Sequence, residues 1–382
     1  MPLLDIGPDS ARASVEESEG RPAHGGRLIA ASRTYDIPLE RWLDLSTGIS
    51  PVSWPVPGVP ERVWRDLPQE DDGLVQQASA YYDCLPENLL PVPGSQFAIE
   101  ALPLLFADQL PQKQKVALPY WGYQEHHYHW RDAGYLPVAY RNSKELMDLV
   151  EYTDVSSAVV INPNNPSTET MVTSGLLSVA ARLSRKGGLL VVDEAFMDAT
   201  PAQSLCAAVT GSWPSGLVVL RSVGKFFGLA GMRLGFVVAE RSVLAWLNNR
   251  LSPWAVSHPA RWVGAQVLAD QEWQTAQRFR LRAASADHLC MLKTYLPQLD
   301  WAGAALFASG FGAYDECARI TSVLARQGIL VRELSPSLFG EVSSGGQAGI
   351  RIGLPAESDQ QRLLQALQLF SSGMDVSGNV EK

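Results

Sequence analysis

The sequence predicts an α/β protein with a large, mostly parallel central sheet and a smaller α+β domain. Short runs of aliphatic and β-branched residues alternate with longer helical patterns through the middle of the chain, which is typical of β-α-β units. Glycine, proline or asparagine bounds each run. The predicted strands are KVALPY, SSAVVINP, GLLVVDEAF, GLVVLRS and RLGFVVAE, and the predicted helices are QFAIEALPLLFADQ, TSGLLSVAARLSRK and RSVLAWLNNRL.

A change of pattern after LSPWAVSHPA predicts a second domain. Long helical patterns follow, then two predicted strands, GILVREL and AGIRIGL, and a closing helix that begins near Ser358. The N-terminal segment is expected to join this part, and both polar tails are expected to be disordered. The predicted divisions are a large domain over 48–252, a small domain over 21–47 and 253–372, and tails over 1–20 and 373–382.

Composition narrows the class of protein. The 382-residue chain has a net charge of −9 with acids and bases interspersed, so we expect neither nucleic acid nor a membrane surface as partner. Its four cysteines show no CxxC spacing, which argues against a disulfide framework or a zinc site. The first residues lack the apolar run of a secretory signal, and no stretch is apolar enough to span a membrane. We therefore expect a cytoplasmic protein.

Polar residues stand where the predicted strands end. Asn162 and Asn165 follow one strand, Asp193 ends the next, and Ser222 and Lys225 follow the third. In parallel α/β sheets the ligand lies outside the carboxyl ends of the strands. Each motif alone also fits a cap, a turn or a structural carboxylate, but their shared placement predicts a functional site at this edge.

Lys225 and Asp193 together favour one cofactor. The chain has seven lysines, and Lys225 stands between a glycine and two phenylalanines, so burial should lower the pKa of its amine and make it nucleophilic near neutral pH. Asp193 follows four apolar residues and needs a positive partner once it is removed from water. Pyridoxal phosphate offers an aldehyde to the lysine and a protonated ring nitrogen to the acid.

A phosphate cradle is expected at the segment VPGSQFAIE. It places Gly94, Ser95 and Gln96 at the start of a helix, where unpaired backbone N–H groups and the helix dipole bind anions. Ser222 and Arg233 are expected to close the other side, because a guanidinium can contact two phosphate oxygens at once.

The segment PYWGYQEHHYH offers aromatic rings and histidines beside this site. We expect Trp121 to stack on the cofactor ring, with Tyr123 as the second choice. The histidines at positions 126, 127 and 129 are of a type that binds metal, but a helix spreads them around its axis. We therefore expect these rings on the surface and no metal site.

The order of the motifs GSQ, PYW, NPNNPS, DEAF, SVGK and GMRLGF resembles the fold-type I aminotransferase family of pyridoxal-phosphate enzymes over nearly the whole chain. Within that family, the segments HGGRL, WLDLSTGISP, DEAFMD, SPWAVSHPA and IRIGLP are most similar to the threonine-phosphate decarboxylase branch of cobalamin biosynthesis. After that branch, the sequence is most similar to the histidinol-phosphate aminotransferases. The resemblance also implies a homodimer with its sites near the subunit boundary.

The resemblance implies a role for each matched residue. Lys225 would bind the cofactor aldehyde, Asp193 the ring nitrogen and Asn165 the phenolic oxygen. The residues matched to the cofactor phosphate are Gly94, Ser95, Gln96, Ser222 and Arg233. Those matched to the substrate are Arg351 for the carboxylate and the segment His24, Gly25 and Gly26 for the phosphate.

The implied reaction is decarboxylation of L-threonine O-3-phosphate to (R)-1-amino-2-propanol O-2-phosphate. A site of this kind breaks whichever Cα bond lies perpendicular to the cofactor ring. Loss of the α-proton instead of the carboxylate would give an aminotransferase acting on a phosphorylated or anionic amino acid, which is the alternative. A relative that binds the cofactor without catalysis is a third hypothesis.

Five positions depart from the broader family pattern, and three of them, Leu67, Thr168 and Ser50, motivate that third hypothesis. The lysine and the aspartate of the site are both present, which argues against it. The departures are Phe196 and Leu67 in place of tyrosines, Thr168 in place of a glycine, Ser50 in place of an asparagine, and His258 in place of a small residue.

Overall fold

The computed structural model describes residues 22, 24–105, 114–209, 211–334 and 346–371. Both predicted tails lie outside these residues. The described helices are α1 (Leu28–Tyr35), α2 (Glu61–Arg65), α3 (Leu74–Tyr82), α4 (Gln96–Ala101), α5 (Gln124–Asp132), α6 (Ser143–Tyr152), α7 (Thr173–Arg185), α8 (Leu205–Ala208), α9 (Arg241–Asn248), α10 (His258–Ala269), α11 (Gln271–Tyr295), α12 (Tyr314–Arg326) and α13 (Glu357–Ser371). The described strands are β1 (Leu43–Asp44), β2 (Leu89–Val92), β3 (Lys115–Pro119), β4 (Leu136–Tyr140), β5 (Val155–Ile161), β6 (Leu190–Asp193), β7 (Leu217–Ser222), β8 (Gly235–Val238), β9 (Asp300–Ala304), β10 (Phe307–Ala313), β11 (Ile329–Leu330), β12 (Arg332–Leu334) and β13 (Gln347–Gly353).

The central sheet has seven strands in the order β2-β8-β7-β6-β5-β3-β4. Pairing is parallel from β7 through β4, and β8 is antiparallel to both of its neighbours. Every residue of β5 and β6 is buried, as expected of apolar strands covered on both faces. The predicted mostly parallel sheet is confirmed.

The strand register brings the functional segments together. Ile161 at the end of β5 pairs with Asp193 at the end of β6, and Asp193 pairs with Leu220 near the end of β7. Since these three strands are parallel neighbours, the residues that follow them emerge at the same edge of the sheet. The predicted convergence therefore follows directly from the topology.

A second, antiparallel sheet has the order β12-β13-β10-β9 and packs against α11 and α12. The short strand β1 pairs with β11, so the N-terminal segment joins the C-terminal part of the chain as expected. The sequence analysis missed β9 and β10, whose glycine, alanine and serine residues give a weak strand signal. The α+β character of this part is confirmed, while the domain boundaries stay a prediction.

Among the described helices, none has the length and apolar character needed to cross a membrane.

Candidate active site

A cavity of about 550 Å³ lies at the carboxyl ends of the central strands. Its wall contains most of the residues that the sequence analysis selected, drawn from segments far apart in the chain. The predicted residues that line it are His24, Gly94, Ser95, Gln96, Asn165, Asp193, Ser222, Lys225 and Arg233.

Lys225 lies in the turn after β7 and faces this cavity. Its Nζ is 5.7 Å from the centre of the Phe196 ring. Burial lowers the pKa of its amine to about 8, and the positive charge of Arg351 acts in the same direction, while Asp193 opposes both. The lysine therefore holds a substantial neutral fraction near physiological pH, which agrees with the expectation from its sequence context.

Asp193, at the end of β6, is fixed from two sides and is 4 % exposed. Its Oδ1 accepts a hydrogen bond of 3.0 Å from the backbone N–H of Ala195, and its Oδ2 lies 3.0 Å from His126 Nε2. A carboxylate only accepts hydrogen bonds, so the histidine nitrogen is the donor. The carboxylate is thereby held in one orientation toward the cavity.

The surface position expected for His126 and His127 was wrong. Both are buried, because α5 packs against α4 and the edge of the sheet and carries these rings on the packed side. Helical spacing shows that the rings diverge, but it does not show which side of the helix is covered. Among the described residues, no group of three or more potential ligands is arranged to hold a metal ion.

The proposed phosphate end of the cavity is shaped by two glycines. Gly94 has a φ of +76°, and a Cβ there would lie 2.8 Å from Arg233 Nη2. A Cβ on Gly235 would lie 2.6 Å from the backbone nitrogen of Ser95. The absence of side chains at these positions lets the guanidinium of Arg233, Ser222 and the start of α4 line one space. This donor set fits a phosphate group.

The structure places Tyr123, and not Trp121, at the cavity wall. The Tyr123 hydroxyl donates a hydrogen bond of 3.2 Å to Gln96 Oε1. The Trp121 ring instead packs against Phe311, with ring centres 5.0 Å apart, and lies outside the residues that line the cavity. The cavity lining thus favours Tyr123, the second choice of the sequence analysis, while stacking on the cofactor stays a prediction.

Arg351 connects the second sheet to the cavity. From β13, its Nη1 donates to Asn165 Oδ1 at 2.5 Å and its Nη2 donates to the carbonyl oxygen of Ser46 at 2.5 Å. Its Nε is buried without a hydrogen-bond partner. Burial lowers the pKa of Arg351 to about 10, and the neighbouring charge of Arg332 contributes. Arg351 thus lies directly behind a residue of the cavity wall.

Two arginines that the sequence analysis missed add to the positive charge here. Arg332 on β12 pairs in register with Arg351 on β13, so the two side chains share one face of the sheet. Burial lowers the pKa of Arg332, and the charge of Arg27, which lines the cavity, lowers it further. Arg27 belongs to the HGGRL segment, but nothing in that segment assigns it to the site, and Arg332 is brought beside Arg351 by the pairing of β12 with β13.

The N-terminal HGG segment crosses the cavity mouth. His24 lines the cavity and donates through Nε2 to Glu125 Oε1 at 2.7 Å. The N–H of Gly26 donates to Ser46 Oγ at 2.7 Å, and a Cβ on Gly25 would lie 2.6 Å from the Ser46 carbonyl oxygen. The two glycines attach the segment to Ser46 and are not themselves part of the cavity wall.

The departures from the family pattern have distinct surroundings. Ser50 supports the lysine, because its N–H donates to the Lys225 carbonyl at 2.9 Å while its Oγ accepts from Gln277 at 2.7 Å. Thr168 has a φ of +66°, in the region that favours glycine. Leu67 is exposed, and His258 Nδ1 lies 2.9 Å from the carbonyl oxygen of Asp66 beside it.

Comparison with known proteins yields consistent matches. The family model described as Aminotransferase class I and II matches residues 73–370. A threonine-phosphate decarboxylase of Pseudomonas aeruginosa is 43 % identical over 349 residues, covering 91 % of this chain and 97 % of that protein. A threonine-phosphate decarboxylase of a Sinorhizobium species is 40 % identical over 271 residues, covering 69 % of this chain and 77 % of that protein.

A solved structure supports the fold. The histidinol-phosphate aminotransferase of Sinorhizobium meliloti in complex with pyridoxal-5'-phosphate superposes with a TM-score of 0.71 at 18 % identity, covering 93 % of this chain and 100 % of that one. Its strand and helix arrangement is therefore shared, although the sequences have diverged widely. The fold class predicted from the motifs is confirmed.

Proposed function

Because this chain belongs to the aminotransferase class I and II family, we propose that it is a pyridoxal-phosphate-dependent decarboxylase. Its reaction is the conversion of L-threonine O-3-phosphate to (R)-1-amino-2-propanol O-2-phosphate, a step of cobalamin biosynthesis. The two relatives at 43 % and 40 % identity are both threonine-phosphate decarboxylases. The observation that carries the proposal is a buried Lys225, with a pKa lowered to about 8, that lines one cavity with Asp193, Ser222 and Arg233.

The cavity residues fit pyridoxal phosphate group by group. When bound, the cofactor supplies an aldehyde for covalent attachment and a ring that withdraws electrons from the bonds at the substrate Cα. Lys225 would provide the attaching amine and could also act as a base or acid beside the substrate. Asp193, oriented by His126, would hold a positive charge at the ring nitrogen.

The remaining contacts to the cofactor are proposed from the positions of the side chains in the cavity wall. Tyr123 would pack on the ring, and Asn165, which accepts a hydrogen bond from Arg351, would bind the phenolic oxygen. The groups proposed for the cofactor phosphate are the backbone of Gly94, Ser95 and Gln96, the hydroxyl of Ser222 and the guanidinium of Arg233.

The charge around the cavity favours a substrate with two anionic groups. Arg351 is proposed to bind the carboxylate, because its buried Nε has no partner and its charge lies behind Asn165. Arg27, Arg332 and His24 are proposed to bind the substrate phosphate from the mouth of the cavity. The loss of carboxylate rather than proton would depend on how these groups orient the Cα–carboxylate bond relative to the ring.

A homodimer is proposed as the working form. Trp64, Leu67 and Trp254 are 67 %, 59 % and 59 % exposed, and the contact of His258 with Asp66 brings their segments together. Large apolar side chains of this kind on one surface are typical of an interface.

A cytoplasmic location is proposed because all four cysteines are free.

The test is a product assay with L-threonine O-3-phosphate and no 2-oxoacid. We expect carbon dioxide and an aminopropanol phosphate in equal amounts, and much slower turnover of unphosphorylated L-threonine. Strict dependence on a 2-oxoacid would instead identify the aminotransferase. Cofactor binding without any spectral response to amino acids would identify a relative without catalytic activity.

A further inference from the structure

Glu125 connects three separate segments at the cavity. Its Oε1 accepts the 2.7 Å bond from His24 Nε2 in the N-terminal segment. Its Oε2 accepts a bond of 2.8 Å from Gln96 Nε2 at the start of α4 and lies 3.1 Å from His129 Nε2 on its own helix. The side chain of Glu125 is 9 % exposed, so the carboxylate is largely shielded from water.

Gln96 extends this network to the aromatic ring of the cavity wall. The amide that donates to Glu125 also accepts, through Oε1, the hydroxyl hydrogen of Tyr123. One carboxylate is therefore linked both to the proposed cofactor side of the cavity and to the proposed substrate side. Hydrogen bonds to His24 are the main reason that the pKa of Glu125 is lowered to about 2, so Glu125 is an anion at any working pH.

Within the described residues 24–27, His24 and Gly26 both donate hydrogen bonds to residues outside the segment. The His24 side chain is 47 % exposed and its ring centre lies 5.9 Å from that of Tyr123, while the Gly26 N–H donates to Ser46 Oγ at 2.7 Å. A charge-assisted bond to a buried carboxylate is stronger than a neutral one, so the bond to Glu125 dominates the placement of the imidazole. The position of His24 is therefore set mainly by a residue that does not belong to its own segment.

We infer that Glu125 is a positioning residue that holds His24 at the cavity mouth and thereby fixes where the phosphate of the substrate binds. The identity of that substrate rests on the proposed function. The hydrogen bond from His24 to Glu125, called the tether below, does not depend on it. Glu125 acts through His24 and does not contact the reacting atoms. Its loss should weaken substrate binding more than it slows the chemical step.

The first experiment measures the tether without any substrate. Amide hydrogen exchange of the pyridoxal-phosphate-loaded protein is followed at Gly25, Gly26 and Arg27 in the wild type, Glu125→Gln and Glu125→Asp. We expect roughly tenfold faster exchange in Glu125→Gln and an intermediate rate in Glu125→Asp. Glu100→Gln is the matched control, because Glu100 also accepts a bond from Gln96, at 3.0 Å, but is not bonded to His24.

The second experiment is a double-mutant cycle on the kinetics with L-threonine O-3-phosphate. We expect Glu125→Gln to raise KM about tenfold while kcat stays within about threefold. His24→Ala should raise KM at least as much, and the double variant should match His24→Ala alone because the two residues act as one unit. His24→Ala changes an exposed side chain, so it remains informative if a Glu125 variant fails to fold.

Two outcomes would overturn the inference. Unchanged exchange at residues 25–27 in Glu125→Gln would mean that the carboxylate does not hold the segment. Additive effects in the cycle, or a fall in kcat with KM unchanged, would mean that Glu125 does not act through His24. If L-threonine O-3-phosphate is not turned over by the wild type, the proposed function fails while the exchange result still reports on the tether.

Discussion

His126 Nε2 donates to Asp193 Oδ2 across 3.0 Å, and both side chains are buried beneath the cavity. This bond connects the helix that follows β3 to the strand end that carries the site's acid. With the Ala195 N–H on the other oxygen, it leaves the carboxylate little freedom to rotate. Asp193 is thus preorganised by contacts that exist without a ligand.

The first prediction concerns this bond. His126→Phe removes the donor and should lower kcat/KM for L-threonine O-3-phosphate by about 10- to 100-fold, since a hydrogen bond to a charged group contributes about 1.5–3 kcal/mol. His126→Asn offers an N–H donor again and should recover part of the loss. Steady-state kinetics of the three proteins provide the comparison. Equal activity in the wild type and His126→Phe would show that the bond has no role in turnover.

The second prediction follows from the pKa of Lys225, which is lowered to about 8. Only the neutral amine attacks an aldehyde, so the rate at which the cofactor-free protein attaches pyridoxal phosphate should rise about tenfold per pH unit below pH 8. Above that value the rate should level off, whereas an ordinary lysine would continue to gain neutral amine up to about pH 10.4. Stopped-flow absorbance between pH 6.5 and about 10 measures this profile.

A charge variant checks the cause of that shift. Arg351→Gln removes a positive charge that lowers the pKa of Lys225, so the plateau of the attachment rate should move to higher pH. The measurement contains no amino acid, and so it is independent of the proposed role of Arg351 in substrate binding. A plateau at an unchanged pH would contradict the electrostatic account.

The third prediction concerns Thr168, whose φ is +66°. A β-branched residue in the left-handed region costs about 1–3 kcal/mol, and part of this is offset because glycine is more flexible when unfolded. Thr168→Gly should therefore raise the free energy of unfolding by about 1 kcal/mol. Asp83→Gly, at a φ of 55°, is the control and should gain less, because aspartate tolerates this conformation. Denaturant unfolding of both variants measures these changes in the free energy of unfolding. A loss of stability in Thr168→Gly would contradict the prediction.

The fourth prediction concerns a buried ion network next to the site. Arg221 Nη1 bonds Glu194 Oε2 at 2.5 Å and Arg221 Nη2 bonds Asp198 Oδ1 at 2.5 Å, and all three side chains are almost fully buried. Arg221→Met would leave two carboxylates without their cation and should cost about 3–5 kcal/mol of unfolding free energy. Chemical denaturation measures the loss. A change below about 1 kcal/mol would show that the carboxylates are stabilised in another way.

The sequence predicted those parts of the site that follow from strand ends and local motifs. Asp193, Ser222 and Lys225 could be placed because parallel neighbours bring their carboxyl ends to one edge. Gly94 could be placed because a glycine turn before a helix is a local signal, and Arg233 because it lies in the family motif GMRLGF. The resemblance to a family then supplied roles that spacing alone does not give.

The sequence did not reveal contacts that depend on packing between distant segments. His126 was assigned to the surface because helical spacing does not tell which side of α5 meets the sheet. The choice between Trp121 and Tyr123 depended on where Phe311 of the second sheet lies. Arg332 lies beside Arg351 only through the pairing of β12 with β13, which has no sequence signature.

The central claim is that Lys225 is the covalent attachment point of pyridoxal phosphate. Its direct test is borohydride reduction of the cofactor-loaded protein, followed by proteolysis and mass spectrometry of every lysine-containing peptide. The account predicts a single stable adduct, on the peptide that contains Lys225. The adduct should be absent from the Lys225→Ala variant, and cooperative unfolding of that variant would show that it is folded. No adduct in the wild type, or an adduct only at another lysine, would contradict it.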